Sequence, residues 1–408
     1  MHSGIKRLGS AVCRIRTSIL LSHIVPILLY GSLISGCSST ASRKEGPDRP
    51  LFHNDLFAHK TSIDYAKGFT LSYHGNYKVI QIFNPFEQTA DTATFVLLQR
   101  GTKRPPGFES AQVIDIPIRS LVTMSSMHVG LAGFLEAEDI IVGMGNLKYV
   151  SSPKVLEKIA KKEIVEVGKN QMLNEELLIS LHPDLIMAMG SPVSPINRYP
   201  ALQEAKVPVL VNSEWVETSP LARAEWVKLM AVLLNKEEQV NVRFGKVERE
   251  YKRLKALTST LTIRPEVLCG LNSKDTWYVP SGDGYVHKFI QDAGGSYHWA
   301  ETRSIGNLPL NFEQVYPVGL RADFWINLNM GERETKSELL AKDQRYSDFK
   351  AFQKGQVYAF TKRLNRQGAN DYWESGAVNP QEILADLIRI LHPELLPNHD
   401  LKYYKPIL

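Results

Sequence analysis

Cysteine is scarce in this chain. Three cysteines among 408 residues, Cys13, Cys37 and Cys269, supply neither a disulfide framework nor a Cys-x-x-Cys spacing for a metal or redox centre. A long apolar run is missing too. The greasiest stretch, Ile19 to Ile34, is broken by Ser22, His23, Pro26, Gly31 and Ser32, whereas a membrane-spanning helix needs roughly 20 predominantly apolar residues. Nor is there much net charge. Lys and Arg total 48 against 43 Asp and Glu, and Lys6, Arg7, Arg14 and Arg16 stand at the very start, which leaves the remainder close to neutral. No basic run follows, so the chain carries no electrostatic footprint for nucleic acid. The patterns G-x-S-x-G, H-E-x-x-H and G-x-x-x-x-G-K-[ST] do not occur. "SGDGY", Ser281 to Tyr285, is turn chemistry, and the acid pairs Glu175-Glu176 and Glu237-Glu238 fall on predicted helix surfaces. The chain reads as a non-enzyme.

What is present begins with "GSLISGCSST", Gly31 to Thr40. A positive start, a short apolar stretch and small residues describe an export signal. Ile34-Ser35-Gly36-Cys37 resembles a bacterial lipobox, in which the cysteine thiol receives a diacylglycerol, the preceding peptide is cut and the new N-terminus is acylated. Several acyl chains on one residue anchor stably where one does not. The resemblance implies a signal at 1–36, lipidation of Cys37, a polar tether at 37–57, and a place in the cell envelope, lipid-anchored and facing the periplasm. Apart from that lipid no covalent cofactor is expected. Cys269, in "EVLCGL", then reads as a small buried hydrophobe in a strand.

From Gly68 onward, short strand-like segments follow one another: "FTLSYHG", "YKVIQIF", "TATFVLLQR", then "VIDIPIRSLVTMS" as a further strand pair. After Ser125 helix and strand alternate, through "HVGLAGFLEAED", "IIVGMG", "NEELLISLH", "DLIMAMG" and "VPVLVNS". Such alternation predicts a mainly parallel sheet covered by helices. From Ala224 to about Leu257 the residues Leu233, Val240, Phe244, Val247, Tyr251 and Leu254 recur mostly at steps of three and four with charges between them, which predicts one long amphipathic helix. After Pro265 the alternation restarts. The expected fold is α/β: two Rossmann-like lobes, 58–223 with an extra β-rich start and 261–408, joined by one long rigid helix at 224–260, with a ligand cleft between the lobes.

In this order and spacing the chain resembles the substrate-binding lipoproteins of ABC importers for iron complexes and cobalamin. The resemblance runs from about Gly68 to Pro397. It is carried by "SSMHVG", "LNEELLISLHPDLIMA", "DAGGSYHWA", "FEQVYPVGLRADFWINL" and "DYWESGAVNPQEILADLIRILHPEL". The β-rich residues 58–110 depart from it and are more like the longer versions in Bacteroidetes-type bacteria. The resemblance implies capture of an iron(III) complex (siderophore or haem) or a corrinoid by a monomer, for delivery to the membrane subunits of an ABC permease. It also implies docking through one glutamate per lobe, Glu176 and Glu313, each at a predicted helix start where a carboxylate also meets the helix dipole favourably.

Ligands of α/β sheets bind beyond the carboxyl ends of strands. The segments there hold Ser125, Ser126, Met127 and His128; Lys148 and Tyr149; Ser191 and Pro192; Glu214, Trp215 and Glu217; Trp277, Tyr278 and Tyr285; and Arg363, Arg366, Tyr372, Trp373 and Glu374. Met127, His128, Tyr149, Trp215, Trp277, Tyr285, Arg366, Tyr372, Trp373 and Glu374 are the candidate ligand contacts. Aromatic side chains suit planar or macrocyclic ligands. Haem would favour an axial His128 or Tyr149, a catecholate siderophore several cations such as Lys148, Arg363 and Arg366, and cobalamin aromatic walls. A bare zinc or manganese ion needs about four converging His and carboxylate ligands, yet His128, His287 and His298 are scattered among aromatics. A chelatase-like enzyme on the same fold would need a polar, titratable cleft, and a surface adhesin none at all.

Overall fold

Segments rich in Val, Ile, Phe and Thr make the first sheet: β1 (Phe69–His74), β2 (Tyr77–Phe83), β3 (Thr92–Gln99) and β4 (Gln112–Ile116). The computed structural model describes residues 55–83, 92–169, 172–189, 200–304, 306–329 and 335–408. β1, β2 and β3 pair antiparallel, with Ile80 opposite both Leu71 and Phe95, and β4 lies parallel to β3. Ile80, Ile82, Phe95, Leu97, Ile114 and Ile116 are buried in the main core.

The second sheet is wholly parallel. Its strands are β5 (Leu121–Thr123), β6 (Ile141–Met144), β7 (Val165–Glu166), β10 (Leu185–Met189) and β11 (Val209–Asn212), in the order β11-β10-β5-β6-β7. Between them run α1 (Ser126–Phe134), α2 (Pro153–Ala160), an antiparallel pair of two-residue strands β8 (Gly168–Lys169) and β9 (Met172–Leu173), α3 (Glu175–Leu181) and α4 (Pro200–Glu204). The strand pair expected in "VIDIPIRSLVTMS" is corrected: β4 and β5 join different sheets. Pro117 lies between them and has no N–H to continue a ladder.

The expected single helix at 224–260 is also corrected. Three helices occupy the region: α5 (Pro220–Glu225), α6 (Val227–Leu234) and α7 (Glu237–Thr258). Asn235 ends α6 in the left-handed conformation, φ 55°, which Asn tolerates better than most residues. Every residue of α6 is buried, as befits a helix apolar all round apart from Lys228. Only α7 has the striped pattern. Its N-terminal half meets the end of α1, where Arg243 donates to the Phe134 carbonyl at 2.7 Å.

The C-terminal half of α7 meets the second part of the chain. Tyr251 donates to Asp292 at 2.9 Å, and Thr258 to the Asp292 carbonyl at 2.7 Å. That part is built from β12 (Glu266–Cys269), β13 (Asn272–Ser273), β14 (Thr276–Pro280), α8 (Tyr285–Asp292), β15 (Ser296–Tyr297), β16 (Asn307–Leu310), α9 (Phe312–Gly319), β17 (Phe324–Leu328), α10 (Lys336–Lys342), α11 (Lys350–Gln353), β18 (Val357–Ala359), α12 (Ser375–Val378), α13 (Pro380–Leu391) and β19 (Lys405–Pro406). The third sheet has the order β15-β12-β17-β18-β19, parallel except for β19, and β13-β14-β16 form a side sheet. The described residues all fall in the compact unit Phe52–Leu408.

The N-terminal strap before β1 is held by two buried carboxylates. Glu225 accepts the backbone N–H groups of Asp64, Tyr65 and Ala66 at 2.7–3.1 Å and pairs with Lys228 at 2.7 Å. Glu217 accepts those of Lys67 and Gly68 and the Trp226 indole N–H, each within 3.1 Å. A buried carboxylate is tolerable only when its lone pairs are satisfied in this way.

Candidate functional site

The carboxyl ends of β11, β12, β17 and β18 open onto one cleft of about 680 Å³, within the range of small-molecule sites. Trp215 and Glu217 reach it from the segment after β11, and Arg223 from α5. Cys269 and Gly270 end β12, Tyr278 and Pro280 come from β14, and Tyr285 opens α8. Asn327 stands in β17, Phe360 follows β18, and Tyr372 and Trp373 belong to the 3-10 turn Asp371–Trp373. Asn327 has φ 61° beside a register shift in β17. Such an irregularity re-aims a side chain at a strand end, and its Oδ1 accepts the Tyr404 hydroxyl. Phe360, Tyr372 and Trp373 pack edge to face with centroids 4.9–5.6 Å apart.

The polar side of the cleft centres on Arg223. Its guanidinium carbon lies 4.6 Å from the Tyr285 ring centroid and 5.7 Å from that of Trp373. Glu214 accepts from Nη2 at 3.4 Å. Burial pushes the Glu214 carboxyl above its ordinary range, although Arg223 pulls against it. Burial also pulls Arg223 down, but Tyr285 and Glu214 outweigh that and it stays charged. Sequence reasoning missed Arg223. Its one signal is a lone arginine in the apolar run "PLARAEWVKLMAVLL".

Of the predicted contacts, Trp215, Tyr285, Tyr372 and Trp373 line the cleft together. Others do not. Trp277 is completely buried, with its ring 5.8–6.3 Å from those of Trp325, Tyr346, Phe349 and Phe312 and its indole N–H on the Cys269 carbonyl at 2.8 Å. The alternation of β14 turns Trp277 inward and its neighbours Tyr278 and Thr276 outward. Met127 and His128 are core residues, because α1 carries no charge and is buried on every side through Ala132. Burial holds His128 down to about 3, hence neutral. The nearby Met187 carbonyl, which already accepts the Met124 N–H, makes no well-formed hydrogen bond to either ring nitrogen.

Tyr149 is exposed away from the cleft lining. Lys148 and Arg366 line a separate open cavity between α2 and residues 365–367, and Arg363 pairs with Asp371. Ser191 and Pro192 lie outside the described residues, as does Cys37. His287 bonds the Gly282 carbonyl and His298 bonds Arg321. Among the described residues no three His, Cys, Asp or Glu gather to hold a metal ion. Glu176 and Glu313 stand exposed in the first turns of α3 and α9, with Arg345 3.8 Å from Glu313.

Glu374 is a clasp rather than a ligand contact. It is buried, and its two oxygens accept the N–H groups of Ser151 and Ser152 at 2.7 Å each, where α2 begins. Gly130 of α1 lies beneath it. A Cβ there would stand 2.3 Å from the Glu374 carbonyl oxygen, so only glycine permits this approach.

Two parallel-stranded halves with a cleft at their strand ends define a ligand-binding α/β protein of the two-lobed type. The chain belongs to the periplasmic binding protein family, whose model matches residues 121–364, from β5 to just past β18. An uncharacterized lipoprotein of Methanocaldococcus jannaschii is 25% identical, over 92% of this chain and 93% of its own length, and a second from the same organism is 27% identical over 77% and 80%. These archaeal relatives lend no support to a Bacteroidetes-type narrowing. Among solved structures, a periplasmic heme-binding protein from Roseiflexus (20% identity, 68% of this chain, 99% of that one, TM-score 0.53) and a periplasmic binding protein from Veillonella parvula (13%, 82% and 99%, 0.54) share the fold.

Burial raises Glu374 to about 7, against the pull of the Ser151 N–H and with the push of Asp371. A carboxyl whose folded pKa is raised contributes stability below its unfolded pKa and loses it as pH rises through the folded one. The shift from about 4.5 is worth on the order of 3 kcal/mol. Denaturant titrations between pH 4.5 and 8 should therefore show Glu374→Gln gaining on the wild type as pH rises. Parallel curves would refute this account of the clasp.

Proposed function

We propose that this protein is the substrate-binding component of an ABC importer and that its cleft takes a flat tetrapyrrole-type metal chelate, haem or a corrinoid. The observation that carries the reading is the make-up of the cleft. Its walls are Trp215, Tyr278, Tyr285, Phe360, Tyr372 and Trp373; of its two cations Arg303 is paired with Asp283, and Lys148, Arg363 and Arg366, which a catecholate siderophore would favour, lie outside the lining. Flat apolar area with few polar anchors matches a macrocycle. Kinship in fold with a heme-binding protein is in keeping with this. A bare-ion site finds no support among the described residues.

Haem and cobalamin titrations read by tryptophan quenching test the reading. One of them should bind, and Trp373→Ala should weaken it by ~10-fold, as loss of a stacked ring of about 1–1.5 kcal/mol implies. Binding of a ferric catecholate instead would overturn it.

Anchoring belongs to the same reading. The family is named for the periplasm and two curated relatives are called lipoproteins, in accord with lipidation of Cys37 and a cell-envelope location. Cys37→Ser should move the protein from the membrane fraction to the soluble extract, and persistence on membranes in high salt would argue against the anchor.

Delivery needs a docking surface, and Glu176 and Glu313 are exposed carboxylates fitted to meet cationic permease side chains. Such pairs govern orientation and encounter rate more than affinity. The double variant Glu176→Ala/Glu313→Ala should retain its chelate affinity and lose uptake by cells. Undiminished uptake would remove both residues from the docking role.

A further inference from the structure

The cleft is apolar in its walls but not neutral in its floor. Arg223 is about nine-tenths buried there, and its Nε has no hydrogen-bond partner. The Tyr285 side chain is one polar neighbour, and Glu214 accepts from Nη2 at the outer limit of a hydrogen bond, 3.4 Å, through a single oxygen. The other oxygen, Oε2, is buried and unpartnered as well. Buried polar groups in native proteins are nearly always satisfied, so a buried guanidinium left partly unpaired in a cleft lining calls for an explanation.

Two arginines elsewhere in the molecule are held more fully. Arg243 has a carbonyl at 2.7 Å together with Glu136, and Arg345 takes a two-pronged grip on Asp343 at 2.7–3.2 Å. Arg223 has aromatic rings for neighbours instead. Rings flanking a guanidinium leave its N–H edge as the direction open to hydrogen bonding, and that edge matches a carboxylate. The other cation of the lining, Arg303, is exposed and already paired with Asp283 at 2.9 Å.

We propose that Arg223 is a specificity-determining residue that receives an ionised carboxylate of the bound ligand, so that the cleft selects macrocycles carrying free acid side chains over their neutral analogues. This rests on the tetrapyrrole reading of the cleft. The aromatic walls hold the ring, and Arg223 gains in the complex the acceptor that Glu214 supplies only poorly.

The test compares iron(III) protoporphyrin IX with its dimethyl ester, by tryptophan quenching, in the wild type, Arg223→Lys and Arg223→Gln. The wild type should prefer the acid by ~10-fold or more, as one charge-assisted hydrogen bond implies. Arg223→Lys should keep part of that preference and Arg223→Gln should abolish it. Equal affinities in the wild type, or an undiminished preference in Arg223→Gln, would overturn the assignment and leave the tetrapyrrole reading standing. If neither porphyrin binds the wild type, that reading fails, and ligand-free melting decides the role of Arg223. A Glu214→Gln/Arg223→Gln variant that melts at or above the wild type marks a cation kept for a ligand, as is common where function opposes stability. A drop of more than ~5 °C, beyond a 1 kcal/mol loss for a chain of this size, would make it a structural residue and end the proposal.

Discussion

A carboxylate–backbone contact joins the two parallel sheets. Glu374, from the chain after β18, accepts two N–H groups at the start of α2, while its own backbone rests on Gly130 of α1. Backbone meets backbone at that point with no side chain between, so the spacing of the halves has little freedom. Trp373 and Tyr372, one and two residues away, stand in the cleft wall. The wall therefore takes its position from the clasp.

The same device recurs where the chain's ends are fastened. Glu217 and Glu225 hold the strap that leads into β1. Asp386 of α13, fully buried, accepts the N–H groups of Lys402, Tyr403 and Tyr404 together with His399. Each acid is satisfied several times over, which offsets its desolvation. Glu217 also lines the cleft, so the segment that follows the polar N-terminal region is tied to the site itself. The chain-end anchors thus belong to the scaffold of the binding site.

Arg223 stands apart from these fully satisfied charges. The protein contains both solutions to a buried ion: complete internal pairing at Glu225, Asp386 and the cleft-lining Glu217, and incomplete pairing at Arg223. The contrast within one fold gives Arg223 its meaning, since the chain visibly has the means to satisfy a charge where only structure is at stake. The aromatic lining then sets shape, and the cation sets orientation.

Much of this was legible before any coordinates. The alternation of helix and strand, the restart after Pro265, the β-rich beginning and the striped helix all appear in the fold, because periodicity reports which face of an element is buried. Trp215, Tyr285, Tyr372 and Trp373, chosen by looking beyond strand ends, share one cleft lining. The same rule chose Met127, His128, Trp277 and Glu374, which lie outside that lining, and passed over Arg223, which lies in it. Sequence position locates a side chain to a loop or strand end, but not to a side of it. Whether Trp277 faces the core or Tyr278 faces the cleft depends on the register of β14, and α1 is interior because helices from both halves close over it. By itself the sequence determined the α/β class, the strand-end location of the site and the aromatic character of its candidates. Only the tertiary structure decided which of those residues share one cleft, because that depends on contacts between segments far apart in the chain, such as Ser151 and Glu374.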